Sequence, residues 1–461
     1  MSEAKIVISE LIERAKKAQA IAEGYTQERV DELVAAIAWS VANEETAKVI
    51  AQMAVDESQL GNYQGKFVKI TKKVRGALRD MKDCKSVGVI ERDEAKGLIK
   101  FAKPVGIIGA LVPTTNPEAT PVIKGMNAIK GRNAIIFAPH PRSKKTNTFI
   151  VNTMRATLKK YGAPEDLLIA IEEPTIDLSN ELMKQVDLVV ATGGSGMVKA
   201  AYSSGTPAYG VGAGNAVIIV DETADLDDAA HKIMLSKTFD YATSCSAENS
   251  LVVVESVYDQ LIEKLQAEGG YLTNKDEKAK LQTTMWDDEG HLSRFIVAQP
   301  AAKIAELASF EIPESKSFIM VEESGVGAEH PFSGEKMSVV MSLYKVKDFS
   351  EAVDQVNTIT GYQGTGHSCG IHTTKLERIE ELGNRVKVSR IMVRQSQCYG
   401  NSGNWDNGMP FTLTLGCGTW GGNIASENIT WKHFINVTWA STPIEPVIPS
   451  DEELFGSAMH N

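Results

Sequence analysis

Apolar residues in the first sixty positions recur at helical spacing. Ile6, Ile8, Leu11 and Ile12, then Val30, Leu33, Val34, Ile37 and Ala38, fall near i, i+3, i+4 and i+7 with charges between them. That spacing predicts amphipathic helices that each turn one stripe to a core. The period then shortens. Residues 87–91 and 98–102 are short β-branched or apolar runs bounded by charge and turn residues, which predicts strands. The run PVGIIGALVP at 104–113 reads as a buried strand leading into a polar loop, Thr114-Thr115-Asn116-Pro117. A helix over 118–128, a strand over 133–138, a helix over 147–161 and a strand over 187–192 follow. Strand 217–221 and helix 226–239 extend the series. Alternation of this kind predicts an α/β fold, with a parallel sheet and crossover helices. A second α/β stretch has strands at 251–255, 317–321, 338–346 and 391–394. Its helices cover 258–269, 303–310, 351–359 and 375–382. A division near 236–246 is expected, giving lobes 1–238 and 239–433. The remaining segment, 434–461, ends in a Pro-rich, acidic tail that reads as lying on a surface or on a neighbour.

Composition narrows the function classes. With 461 residues, 43% of them hydrophobic, the chain can bury large cores without disulfide or metal staples. Lys and Arg number 48 against 59 Asp and Glu, a net charge of −11. Without a basic block, such a chain is a poor nucleic-acid binder. No apolar run approaches the roughly 18 residues of a membrane span, and residues 1–13 lack the apolar stretch of a signal peptide. A membrane role is not expected. The five cysteines, Cys84, Cys245, Cys369, Cys398 and Cys417, are odd in number and irregularly spaced. A reducing, cytoplasmic compartment fits them better than a disulfide framework.

Two segments carry candidate chemistry. Cys245 lies in Ala242-Thr243-Ser244-Cys245-Ser246-Ala247-Glu248, a small polar segment at the proposed lobe junction, just before a β-branched strand. Clefts form between lobes, and a thiol is the side chain most nucleophilic near neutral pH. A buried inert cysteine is the other reading. The strand over 187–192 runs into Gly193-Gly194-Ser195-Gly196-Met197 and then a helix. Strand, Gly-rich turn and helix bring backbone N–H groups to a pyrophosphate. The spacing is not G-x-G-x-x-G, and Asp221 is only a loose match to the usual acidic residue, so a tight structural turn fits as well. Cys369 and His372 have half of a metal-site spacing with no second pair nearby, so no metal is expected.

Taken together in order and spacing, several motifs make a specific pattern. They are PVGIIGALVPTTNP (104–117), FAPHPRSKKT (137–146), VVATGGSGMVKAAYSSGTPAYGVGAGNAVIIVD (189–221), CSAENS (245–250), HPFSGEKMS (330–338), GHSCGIH (366–372) and TLGCGTWGGN (414–423). Through them the chain resembles the aldehyde dehydrogenase superfamily over about residues 6–440, specifically its CoA-acylating branch. The resemblance implies two Rossmann-like α/β lobes, one cofactor-binding and one catalytic, with a small oligomerisation extension at 434–461. It implies that Cys245 is the nucleophile and that Asn116, with the Cys245 backbone N–H, forms an oxyanion hole, a preorganised donor pair for the alkoxide. It places Thr114, His140, Pro141, Gly193, Gly194, Ser195, Gly212 and Glu335 at the NAD or NADP site, with Glu335 on the nicotinamide ribose. It makes His367 an acid–base or CoA-handling group, with a structural histidine as the other reading. Coenzyme A is the implied co-substrate, and a homodimer or homotetramer the implied assembly.

An absence and a departure refine the reading. Hydrolytic members carry a glutamate that activates water; here 210–215 is Gly-Val-Gly-Ala-Gly-Asn, and no Asp or Glu lies between Met197 and Val220. General-base help is worth roughly 10²- to 10⁴-fold, so transfer to a thiol is favoured over hydrolysis. After the strand at 391–394, acetaldehyde-type members have a small neutral segment; this chain has Arg394-Gln395-Ser396-Gln397-Cys398-Tyr399. The pattern is similar to that of acylating sulfoacetaldehyde dehydrogenases, and Arg394 and Gln395 are the expected substrate-binding residues, since a guanidinium suits a sulfonate. Acetaldehyde or another short aldehyde is the alternative substrate, a non-catalytic scaffold is a further reading, and Arg394 paired with Asp406 is the structural one. His140 and Arg142 leave NAD and NADP open. The start on a helix without a microcompartment-targeting extension suggests free cytoplasm, and the end at Asn461 suggests no alcohol dehydrogenase half.

Overall fold

The computed structural model describes residues 2–460. Helices Glu3–Ala22, Gln27–Ala42 and Glu44–Ser58 open the chain. Each begins on a Ser, Thr or Asn whose side chain accepts a first-turn N–H: Ser2, Thr26 and Asn43. Their apolar stripes, including Ile8, Ile12, Leu33 and Ile37, are fully or nearly fully buried, as the periodicity predicts. A helix at Tyr63–Val68 runs into a π-turn at Lys69–Lys73 and a second helix at Val74–Met81. Strands β1 (Gly88–Asp93) and β2 (Leu98–Pro104) form an antiparallel hairpin.

The first parallel sheet contains β3 (Ile107–Val112), β4 (Ala134–Pro139), β5 (Leu168–Ala170), β6 (Leu188–Ala191) and β7 (Ala208–Gly210), in the order β5-β4-β3-β6-β7. Every residue of β3 and β4 is buried, as expected of parallel strands covered on both faces. The second parallel sheet contains β8 (Ala216–Val220), β9 (Glu248–Val254), β10 (Gly270–Leu272), β11 (Phe318–Glu322), β12 (Val340–Val346), β13 (Cys369–His372) and β14 (Ile391–Val393). Its order is β10-β11-β12-β9-β8-β13-β14. Two α/β lobes are therefore present. Strand β15 (Ile435–Ser441) leaves the second lobe and pairs with β2, completing a three-stranded antiparallel extension.

The division between lobes differs from the expected one. Strand β8 and helix Leu226–Thr238, read above as the end of the first lobe, belong to the second: β8 pairs with β9 and β13, and Ile218, Ala230 and Ile233 join the core of that sheet. The first lobe thus ends before β8. In return, Phe411, Ile429, Trp431 and Phe434 pack into the first lobe's core. Cys369 and His372 lie on buried β13, and residues three apart on a strand face opposite sides, which explains why they form no ligand pair.

This topology makes the cleft. The loop at 114–117 leaves the carboxyl end of β3, where parallel sheets place ligands. The segments that lead into β8, β9 and β13 face it from the second lobe.

Asn133 ties the extension to the first lobe. Its Oδ1 accepts the backbone N–H groups of Val105 (2.7 Å) and Gly106 (3.0 Å), and its Nδ2 donates to the Phe434 carbonyl at 2.7 Å. Asn133→Ala leaves these buried backbone groups unsatisfied, at about 1–3 kcal/mol each. The expected result is a lower melting midpoint and faster amide exchange in Ile435–Ser441; unchanged exchange there would contradict the tie.

Candidate active site

The segment that delivers Cys245 is bent by unusual backbone. Asp240, Tyr241 and Ala242 have φ of 49°, 50° and 59°, a left-handed conformation that non-glycine residues rarely adopt. The bend is held by the Asp240 carboxylate. Its Oδ1 accepts the Asn62 backbone N–H at 2.7 Å, and its Oδ2 accepts the Lys69 ammonium at 2.5 Å and the Thr243 hydroxyl at 2.6 Å. Lys66 Nζ lies 3.0 Å from the same oxygen. Beyond the bend, Gly214 lies so close that an added Cβ would sit 2.1 Å from the Cys245 carbonyl oxygen, so only glycine fits.

The half-buried Cys245 thiol meets a histidine. Its Sγ lies 3.1 Å from Nε2 of His367, a fully buried ring whose Nδ1 is 2.9 Å from the Ser368 hydroxyl. Burial pushes the thiol up to about 12, with the Glu335 carboxyl adding to the shift and the Arg390 guanidinium opposing it. Burial, and then Arg390, push His367 down to about 3. Both partners are therefore neutral at pH 7, and the tautomer with its proton on Nδ1 leaves Nε2 free to accept from the thiol. A base in hydrogen-bond reach of a nucleophile is the geometry of covalent catalysis.

Asn116 is held by the same lysine that holds the bend leading to Cys245. Lys69 Nζ donates to Asn116 Oδ1 at 2.6 Å, to Asp240 Oδ2, and to Thr243 Oγ1 at 2.6 Å. The Asn116 Nδ2 makes one long contact, 3.3 Å to Thr115 Oγ1. Thr114 Oγ1 is buried without a partner.

The residues expected at the dinucleotide site come from several segments. Gly193 and Gly194 follow β6 and precede helix Ser195–Tyr202, and an added Cβ on Gly194 would meet nothing. Ser195 opens that helix; its side chain lies outside the described residues. The Gly212 N–H donates to Asn423 Oδ1 at 3.1 Å, and a Cβ there would touch the Cys417 sulfur. Glu335 has no ion-pair partner among the described residues; burial pushes it up to about 8, opposed by a backbone N–H from Gly214 and by Lys336. A half-buried carboxyl with no ion pair among the described residues suits the hydroxyl donors of a ribose. His140 follows β4, and its Nδ1 accepts the Arg142 backbone N–H at 3.2 Å; Pro141 starts the short helix there. The Arg142 guanidinium donates to the Ser58 carbonyl.

Arg394 and Gln395, the expected substrate-binding residues, follow β14, whose Val393 is in register with Ile371, whereas Cys245 and His367 precede β9 and β13. The two pairs therefore leave the second sheet at opposite ends of its strands. Arg394 is exposed, forms no ion pair with Asp406 or another acid among the described residues, and has φ of 52°. Gln395 Oε1 is taken by Asn407 at 2.8 Å. Both line a groove of about 890 Å³ that also holds Lys72, Lys232, His372 and Tyr399. Asp228, His231 and Leu235 of helix Leu226–Thr238 line the same groove, and the Tyr399 ring packs on Phe239 at 4.8 Å, next to the Asp240 bend.

Two features escaped the sequence reading. One is the buried cluster of Lys66, Lys69, Glu118 and Asp240. The other is Arg390, 4% exposed and without a carboxylate among the described residues, which donates to the carbonyls of His367 (2.9 Å) and Gly416 (2.8 Å). The only sequence signal for Arg390 is a lone cation directly ahead of a buried strand.

Comparison with known proteins adds the following. The model of the aldehyde dehydrogenase family matches residues 3–291. The chain is 50% identical over 454 residues to a sulfoacetaldehyde dehydrogenase of an Acholeplasma species, covering 98% of this chain and 94% of that one. It is 49% identical over 453 residues to a sulfoacetaldehyde dehydrogenase (acylating) of Bilophila wadsworthia, covering 97% and 98%. The crystal structure of an acetylating aldehyde dehydrogenase from Geobacillus thermoglucosidasius superposes with a TM-score of 0.93 at 37% identity, covering 97% of this chain and 99% of that chain.

The electrostatics of the thiol are testable without turnover. Alkylation of Cys245 by iodoacetamide should be slow at pH 7 and climb up to about tenfold per pH unit toward pH 10, because only the thiolate reacts. A raised pKa means the charged form is scarce until pH approaches it. Glu335, pushed up to about 8, is mostly neutral at pH 7 and charged at pH 9.5. Glu335→Gln should therefore alkylate like the wild type at pH 7 and several-fold faster at pH 9.5. Equal rates at both pH values would refute the coupling.

Proposed function

The chain belongs to the aldehyde dehydrogenase family, and from that premise we propose that it converts sulfoacetaldehyde to its acyl-CoA thioester through an acyl-enzyme on Cys245. It is an NAD(P)-dependent, CoA-acylating enzyme. The observation that carries the site reading is the 3.1 Å contact between Cys245 Sγ and a neutral, buried His367, in a cleft to which residues 197–220 contribute no carboxylate.

The steps follow from the residues. As Cys245 adds to the aldehyde carbon, His367 Nε2 takes the thiol proton. The carbonyl oxygen becomes an alkoxide, and the Asn116 Nδ2–H₂ and the Cys245 N–H stabilise it. The dinucleotide supplies the hydride acceptor when bound; Glu335, Thr114 and the Gly193–Gly194 turn would hold it. Loss of hydride leaves the acyl group as a thioester on Cys245. His367 releases the Cys245 proton to solvent, takes the proton of the coenzyme A thiol as its sulfur attacks the acyl carbon, and returns it to Cys245 as Cys245 leaves. Water is a poor competitor because no general base is aimed at it from the Gly212–Gly214 segment.

The substrate's sulfonate is read in the groove. Lys72, Lys232, His372 and Arg394 line it, and Arg394 has no carboxylate of its own among the described residues. A fixed cation at a groove mouth raises the local concentration of an anionic substrate without touching the reacting carbon. We read the β1–β2–β15 sheet and the tail, where Val447 and Ile448 are 88% and 87% exposed, as the contact surface of a homodimer or homotetramer. No helix among the described residues is long and apolar enough to cross a membrane. Five unpaired cysteines suit a reducing cytoplasm.

Three measurements test the proposal. Cys245→Ala should keep its affinity for the dinucleotide and form no acyl-CoA; turnover near the wild-type rate would refute the nucleophile. Omitting coenzyme A should stop sustained NAD(P)H production after one turnover; continued production with free acid as product would sink the acylating reaction. Arg394→Ala should raise KM for sulfoacetaldehyde about fivefold, the size of a solvent-screened charge interaction of about 1 kcal/mol, with kcat within about twofold. Acetaldehyde kinetics should not change. A substitution that affects both aldehydes equally would remove the steering role.

A further inference from the structure

An asparagine amide works as an oxyanion donor in only one of its two orientations, since its oxygen would repel the alkoxide. What fixes the orientation of Asn116 is therefore part of catalysis. The candidates are the groups that touch it: the Thr115 hydroxyl at 3.3 Å and the Lys69 ammonium at 2.6 Å. A hydroxyl both donates and accepts, so it accommodates either orientation. An ammonium only donates, so it accepts one.

Lys69 is built to act as an ammonium. Its three N–H groups have three acceptors, Asn116 Oδ1, Asp240 Oδ2 and Thr243 Oγ1, and the Thr243 hydroxyl in turn donates to Asp240, which leaves its lone pair for Lys69. Lys69 also opens the π-turn at Lys69–Lys73, a local widening of the helix common at functional sites. Burial lowers the basicity of Lys69, and Asp240 and Glu118 oppose that shift. Lys66 cannot substitute, because its Nζ donates to the Thr115 carbonyl at 2.6 Å.

We propose that Lys69 is a positioning residue: its ammonium clamps Asn116 Oδ1 so that Nδ2–H₂ faces the alkoxide formed on Cys245, and Asp240 ties the same ammonium to the bend that carries the thiol. One lysine thereby sets the oxyanion donor and the nucleophile relative to each other across the two lobes. This rests on the reading of Asn116 as the oxyanion donor.

The test is a double-mutant cycle on the holoenzyme, reading the single-turnover rate of NAD(P)H formation, the dinucleotide Kd and the melting midpoint. Asn116→Ala should slow hydride transfer about 10²- to 10³-fold, the usual loss for one oxyanion donor. Lys69→Met should slow it about tenfold or more with Kd within twofold. The double variant should be no slower than Asn116→Ala, because residues that act through one another are not additive. Lys69→Gln keeps one amide donor for Oδ1, so it should retain most of the rate; if Lys69→Met fails to fold, Lys69→Ala serves as the second arm of the cycle. A wild-type rate in Asn116→Ala would overturn the oxyanion reading itself. A slow Asn116→Ala with a fast Lys69→Met would overturn the clamp alone. So would a lysine substitution that slows Asn116→Ala as much as it slows the wild type.

Discussion

Four charged side chains buried between the lobes set the geometry of everything around the thiol. Lys66, Lys69, Glu118 and Asp240 are at most 3% exposed, two cations against two acids. Removing ions from water costs several kcal/mol each, and their mutual attraction repays this only when the pairing is close. The cluster therefore tolerates little displacement of its parts. Those parts come from helix Tyr63–Val68, the π-turn, the loop after β3 and the bend before Cys245. Asp240 in particular stands at the first of three successive left-handed residues, each costly for a non-glycine side chain. Its bonds to Asn62, Lys69 and Thr243 keep the strained bend in place, and the bend aims the thiol.

Burial has the opposite consequence a few residues later. Cys245 and His367 have no strong ion-pair partner, so the low-dielectric site keeps both neutral. A resting thiolate–imidazolium pair is disfavoured from both sides. Proton transfer must then accompany attack, when the developing alkoxide gives the negative charge a place among hydrogen-bond donors. Glu335 sharpens this, since its charge opposes the thiolate, and Arg390 works against it. A thiol that ionises only with an aldehyde in place is protected from the side reactions open to a free thiolate.

The parts of this that were legible in the chain are those encoded locally. The apolar runs that became β3, β4 and β6 announce themselves, and the runs that became β1 and β2 are bounded by charge and turn residues. Strands β5, β7, β10 and β13 contain no pair of adjacent β-branched residues like Val189-Val190 of β6, and Cys369-Gly-Ile-His372 stood out for half of a metal-site spacing. The lobe boundary was misplaced because chain order does not say which sheet a strand joins; β8 follows the first lobe directly yet pairs in the second. The motifs pointed to Cys245, Asn116, His367 and Glu335. They did not point to the lysines behind them. Lys66, Lys69 and Lys73 fall at i, i+3 and i+7, the spacing of a solvated face, and the acid that pairs with Lys69 lies 171 residues away. Nor does the sequence say at which end of a strand a side chain emerges, so the separation of Arg394 from the thiol segment along the second sheet could not be read from it.

The acidic balance of the chain bears on how an anion reaches this site. A net charge of −11 would repel a sulfonate only if its field survived over the dimensions of the molecule. At physiological salt the screening length is about 8 Å, so the substrate responds to the charges lining its path and hardly to those on distant surfaces. Along the groove that path is mixed: Asp225, Asp228 and Asp406 face it as well, but Asp228 is neutralised by Lys232 at 2.6 Å. Arg394 and Lys72 form no ion pair among the described residues, and Lys72 lies over the Tyr399 ring that backs onto Phe239. The local sign of the groove is therefore set by these cations and not by the net charge, and because a single methylene group separates the sulfonate from the aldehyde carbon, the residues around the thiol must accommodate the sulfonate as well.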